Sequence, residues 1–223
     1  MAPSAESRPG SLILVPAVIT FAVTLLRLVG ELQNWSPRFF SRAAGGGFAP
    51  VGISWLAPIF GIYFGVKLAR AGPGPSRTGA GIGLLVIAIA LLPLTGVVAP
   101  RLGVNPQSLY MLGLFAVVSV IGAVIASRAW PQLGRVLFSY ALAARIPVAI
   151  VMLIAIYANW GTHYDVAPGL PAMSPFSKWL AIGLLPQMTL WIWFTLAIGG
   201  LFGLVAGAIS ARGRSTAPGA VAA

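Results

Sequence analysis

The sequence predicts an all-α integral membrane protein, a bundle of about six transmembrane helices with both termini cytoplasmic. Three observations predict it. Of the 223 residues, 58% are hydrophobic and 8% charged, and the mean hydropathy is +0.93. An ordinary soluble domain carries about 25% charged residues, so most of this surface must meet lipid. The apolar residues are also gathered into runs of about 20, the length a helix needs to cross a hydrocarbon core. Finally, the 14 basic residues, set against Glu6, Glu31 and Asp165, fall mainly in the short stretches between those runs.

In chain order, residues 1–10 read as a polar, disordered tail rich in Pro and Ser, and 211–223 as a second disordered tail. The polytopic transmembrane domain occupies 11–210. Its first apolar run, Ser11–Gln33, exceeds the roughly 7–15 residues of a signal-peptide core and no A-x-A pattern follows it, so it reads as a retained span. Apolar length and Gly/Pro breakers place the others at Val51–Ala69, Gly79–Val98, Ser108–Ser127, Phe138–Ala158 and Ala181–Ser210. The third is the plainest, an uncharged run, and the last is the longest. Pro16, Pro58, Pro93, Pro147 and Pro186 lie inside spans. Kinks are therefore expected, with neighbouring groups satisfying the freed carbonyls.

Orientation follows from Lys and Arg in the short loops. With both termini on one side, that side holds nine basic residues (Arg8, Lys67, Arg70, Arg77, Arg128, Arg135, Arg145, Arg212, Arg214) against five on the other. The nine-residue side is expected to be cytoplasmic, which puts the 34–50 loop, the Arg101 turn and the 159–180 loop outside. Trp35, Trp55, Trp130, Trp160 and Trp179 lie at span ends, as an interfacial belt requires. Trp191 and Trp193 lie deeper in the sixth span, facing lipid or a neighbouring helix. With 12 Arg against Lys67 and Lys178, residue usage suggests a GC-rich bacterial source and hence a bacterial inner membrane.

The net charge of +11 does not mark a nucleic-acid binder, because the basic residues form no stripe and no aromatic stacking platform accompanies them. The expected partners are the bilayer and its anionic headgroups, with a membrane protein partner or a second copy as a further expectation. The chain has no cysteine and one histidine, which excludes disulfides, thiolate chemistry and a bis-histidine haem. No cofactor and no metal site is expected.

The stretch Arg27–Gly47 holds the densest chemistry. Arg27 and Glu31 lie four apart on one helix face. Counted from Ser11, Arg27 is about 24 Å along its helix, which favours an interfacial ion pair with Arg27 reaching out to headgroups over a proton or cation site. Arg145 lies about two turns into the fifth span, with no acid at matching depth. It is expected to snorkel to phosphates, the alternatives being an anionic ligand or a partner's carboxylate. His163 and Asp165 in the 159–180 loop, with Glu31 on the same side, are the candidates for a metal site or an acid–base pair. A hydrogen-bonded loop cover is the plainer expectation. Gly45-Gly46-Gly47 lacks the Gly-Lys-Ser/Thr ending of a phosphate loop and reads as a hinge.

Small residues recur every fourth position at Gly199, Gly203 and Gly207, at Gly61 and Gly65, and at Gly79 and Gly83. Such stripes admit a second backbone, either from this chain or from a partner. Asn34-Trp35 and Asn159-Trp160 end the first and fifth spans, each followed by a further tryptophan 20 or 19 residues on. Coincidence is preferred to a true repeat. Function is expected to be that of a non-catalytic subunit or scaffold of a membrane assembly. A carrier or channel for a small anionic or neutral solute ranks second. An outer-face enzyme using His163, Asp165 and Glu31 ranks third, given so few acids and one histidine.

Overall fold

A computed structural model of the protein describes residues 9–46, 49–167 and 169–215. Of the predicted tails, 1–10 and 211–223, residues 1–8 and 216–223 lie outside the described residues, as does Gly47, while 9–10 and 211–215 are helical. Among those described, the chain is wholly helical. The helices are α1 (Pro9–Leu32), α2 (Leu56–Ala71), α3 (Thr78–Arg101), α4 (Leu109–Ala129), α5 (Pro131–Ala158) and a long, distorted α6 that begins at Pro175 and ends at Ser215. Five helices are long and apolar enough to cross a membrane: Leu12–Leu32, Thr78–Arg101, Leu109–Ala129, Pro131–Ala158 and Pro175–Gly213. This is the build of a multi-pass helical membrane protein. Helix α2 has 16 residues, about 24 Å. It starts later than the expected Val51 because a short 3₁₀ turn, Ile53–Trp55, leads into it.

Local chemistry explains the helix ends. The Ser108 hydroxyl accepts from the Met111 N–H at the start of α4, and the Ser174 hydroxyl from the Ser177 N–H at the start of α6. Asn34 and Asn159 adopt left-handed backbone (φ 55° and 51°) just past α1 and α5. The following N–H groups, of Trp35 and Trp160, reach back to the Gly30 and Ala155 carbonyls. The shared Asn-Trp pairs thus perform the same local task, closing a helix at the start of a loop.

Two further boundaries differ from expectation for identifiable reasons. Helix α5 begins at Pro131, seven residues before Phe138, because proline suits a first helical turn. Gly134, inside this extension, lets Ser127 approach closely. Helix α6 begins at Pro175 and contains two π stretches, Trp179–Leu184 and Thr195–Gly199, with a break at Thr189 (φ −121°, ψ −73°). Pro186 removes one N–H from the ladder. The Thr189 and Thr195 hydroxyls donate to the Leu185 and Trp191 carbonyls, competing with the regular pattern.

The core gathers Phe60, Phe64, Leu85, Leu133, Leu137, Tyr140, Trp193 and Leu204 from α2, α3, α5 and α6. Gly61 and Gly65 meet Gly199, Gly203 and Gly207 backbone to backbone, so the glycine stripe of α6 is filled by α2 of the same chain. Gly79 and Gly83 face open space. The Trp193 indole donates to the Ala88 carbonyl at 2.8 Å, fastening α6 to α3. Apolar side chains such as Leu14, Val18, Phe21, Val86, Ile87 and Leu94 stand outward, as a lipid-facing surface requires.

Candidate functional site

The site lies where the loops after α1 and α5 fold over one end of the bundle. The α5–α6 loop is pinned by its own acid. Asp165 accepts hydrogen bonds from the Gly161 and Thr162 N–H groups and from the Thr162 hydroxyl, at 2.7–2.9 Å. That turn lifts His163 onto α1. The His163 N–H donates to Glu31 Oε2 at 2.9 Å, and its Nδ1 meets Glu31 Oε1 at 2.5 Å. Arg27 Nε donates to the same Oε1 at 2.9 Å. The carboxylate is 1% exposed and fully engaged.

The α1–α2 loop closes the other side. Arg27 Nη2 donates to the Ser41 and Gly46 carbonyls at 3.2 and 2.9 Å. Arg42 donates to the Glu31 backbone carbonyl through Nε, at 3.0 Å, and through Nη2. Gly45 and Gly46 are left-handed, at φ 66° and 83°, and a Cβ on Gly46 would strike the Arg27 guanidinium. The glycines therefore wrap an arginine, where the sequence suggested a hinge. Arg27 does not reach out to headgroups: the pair with Glu31 forms, but it is buried.

Glu31, Arg27 and His163 come together, whereas Asp165 is spent on its own loop. Among the described residues, no three His, Cys, Asp or Glu side chains are grouped to hold a metal ion. Burial pushes the His163 imidazole below its ordinary range; the adjacent Glu31 opposes this and Arg27 adds to it. With a folded-state value below the unfolded one, the unfolded chain takes up the proton first as pH falls. Stability is thus full above about pH 6.5 and declines below it. Thermal unfolding of His163→Gln in detergent between pH 7.5 and 5 should show a flatter profile than the native chain. Parallel profiles would remove His163 from this role.

Beneath this latch lies a cavity of about 420 Å³, lined by Arg27, Arg145, His163, Tyr164, Gln187 and Trp191 among mostly apolar side chains that include Val23, Val148, Met152, Leu170 and Leu190. Arg145 is 4% exposed. Because α5 starts at Pro131, this residue lies about 21 Å along a helix about 42 Å long, and its side chain is turned into the protein rather than outward. Its guanidinium stacks on the Trp191 ring, 4.7 Å to the centroid, and its Nε has no hydrogen-bond partner. Gln187 donates to the Met152 sulfur at 3.6 Å and its Oε1 is also unpartnered. Tyr164, buried over the cavity, donates to the Thr24 carbonyl at 3.2 Å.

The sequence marked Arg27, Glu31, Arg145, His163 and Asp165. It gave no sign of Trp191, Arg42 or Gln187 as members of one site, since their proximity depends on the break in α6 and on how the loops return. Comparison with protein-family models, curated proteins and solved structures gives no significant match, so the site rests on its own geometry.

Proposed function

We propose that the chain binds and carries a small monoanionic solute with an apolar body, such as a hydrophobic carboxylate, through the cavity at Arg145. The observation that carries this reading is the Arg145 guanidinium, which has no counter-charge among the described residues. An ion buried without a counter-charge costs several kcal/mol even after relaxation. Arg27 is already neutralised by Glu31 and His163 is held neutral, so the cavity has one positive charge to answer. The apolar wall and the Trp191 face suit a hydrocarbon or aromatic body. The break in α6 beside the cavity matches the discontinuous helices on which carriers build their sites.

A non-catalytic subunit would need a partner carboxylate at Arg145. The glycine stripe that also suggested a partner is occupied by α2, which leaves that reading with less support. We further propose that α2 is a sixth span, that both termini are cytoplasmic and that the membrane is a bacterial inner membrane. Leaving out the buried Arg145 and Arg27, eight basic residues against four favour the orientation.

The test is thermal unfolding of purified protein with benzoate, octanoate or benzyl alcohol, followed by uptake of labelled benzoate into proteoliposomes. At a hundredfold excess over Kd, a bound anion should add about 2.7 kcal/mol, roughly 5–10 °C for a chain of this size. Benzyl alcohol should add nothing. The shift and the uptake should vanish in Arg145→Gln. Equal shifts in that variant, or co-purification in fixed ratio with a chain whose carboxylate crosslinks beside Arg145, would overturn the reading.

A further inference from the structure

At the opposite end of the bundle a second concavity opens between α4, α5 and the broken part of α6. Its volume is about 840 Å³. The walls are Val120, Ala123 and Val124 from α4 and Phe138 from α5, and the floor is Ile192 and Leu196 from α6. Arg128 and Arg135 stand at its mouth, on either side of the α4–α5 turn, and both are exposed. The acids among the described residues, Glu31 and Asp165, are held at the far end of the bundle. Nothing of opposite charge in the described chain therefore answers these two arginines.

The dimensions fit one kind of occupant. From Arg128 back to Val120 the groove runs about 12 Å along α4. One leaflet of hydrocarbon is about 15 Å deep, half of a core about 30 Å thick. An apolar trough that begins at two cations and follows most of one leaflet has the shape and polarity of a phospholipid, headgroup at the arginines and acyl chain in the trough. The α6 break creates the room. At Thr189, which lines the groove with Met188, the backbone leaves helical geometry, so the next turn does not fill the space between α4 and α5.

We infer that this groove retains one anionic phospholipid, with its phosphate between Arg128 and Arg135 and an acyl chain along Val120–Val124 and Ile192. The choice of an anionic over a zwitterionic lipid follows from the uncompensated pair of cations. The inference is independent of the Arg145 cavity, which lies across α6 from the groove.

Native mass spectrometry of delipidated protein given phosphatidylglycerol or phosphatidylcholine tests it. One phosphatidylglycerol should remain bound per chain, with a preference of about fivefold per arginine, roughly 25-fold in all. Arg128→Gln/Arg135→Gln should bring the two lipids level. Ser139→Trp, which fills the groove and leaves both arginines, should release the lipid. Since all three positions are exposed, the variants should remain monodisperse, and Arg145→Gln should keep the lipid. Equal retention of the two lipids by the native chain overturns the inference, as does retention of phosphatidylglycerol by Ser139→Trp. So would rapid labelling of Ser139→Cys in the bilayer by a membrane-impermeant thiol reagent, because a lipid-filled groove excludes water. The native chain has no cysteine to obscure that reading.

Discussion

Glu31→Ala is expected to be the most damaging polar substitution in the chain. It removes the acceptor shared by Arg27 and His163 and leaves a buried guanidinium facing an imidazole. Breaking a buried pair by deleting one partner costs about 3–5 kcal/mol, so the unfolding midpoint should fall by roughly 10 °C. Glu31→Gln should fall in between, since an amide retains an acceptor but loses the charge. The double variant Arg27→Leu/Glu31→Ala should recover part of the loss, because it removes the stranded cation along with its partner. Thermal unfolding in mild detergent measures all three. A Glu31→Ala midpoint within about 2 °C of the native chain would mean that water enters the latch and that the burial has no energetic weight.

The second large effect is steric. Gly65→Leu should prevent proper assembly of α2 with the last part of α6, because even a Cβ at that position overlaps the Gly203 backbone. Overpacking a well-filled core costs about 1–3 kcal/mol when side chains can yield. Here the obstacle is backbone on a helix already fixed by Leu133 and Leu137, so the cost should exceed that range and the protein should elute as aggregate. Gly83→Leu is the matched control. It has the same residue type and the same four-residue spacing with Gly79, but its Cβ meets nothing within 4 Å. That variant should unfold at or slightly above the native midpoint, since leucine favours helix over glycine. Similar behaviour of the two variants would show that the stripes are not distinguished by packing.

Those two glycine pairs illustrate how far a sequence reads. Spacing alone identifies a flat face, and Gly61-Gly65 and Gly79-Gly83 present the same spacing. Only the placement of α6 decides that the first is filled and the second left open. Arg145 behaves in the same way. Its rarity in an apolar run is visible in the sequence, but its burial against the Trp191 ring is not.

The sequence groups His163 and Asp165, two apart in one loop, with Glu31 on the same expected face. The fold separates them: an Asp three residues after a Thr ties its own turn, and the histidine is delivered to Glu31, 132 positions away in sequence. No local pattern encodes that meeting, because it depends on α1 and α5 packing side by side with both C-terminal ends at one face.

The sequence by itself determined the solvent, the helical class and most of the segments, since apolar run length and charge scarcity are dictated by what a bilayer tolerates. It also determined the chemistry on hand: three acids, one histidine and no thiol. Tertiary structure alone decided which of these groups meet. It buried Glu31 among three donors, left Arg145 without an anion, and opened two cavities on either side of a broken α6. Such outcomes depend on distances between helices far apart in the chain, set by backbone contact at glycines and by the return paths of two loops.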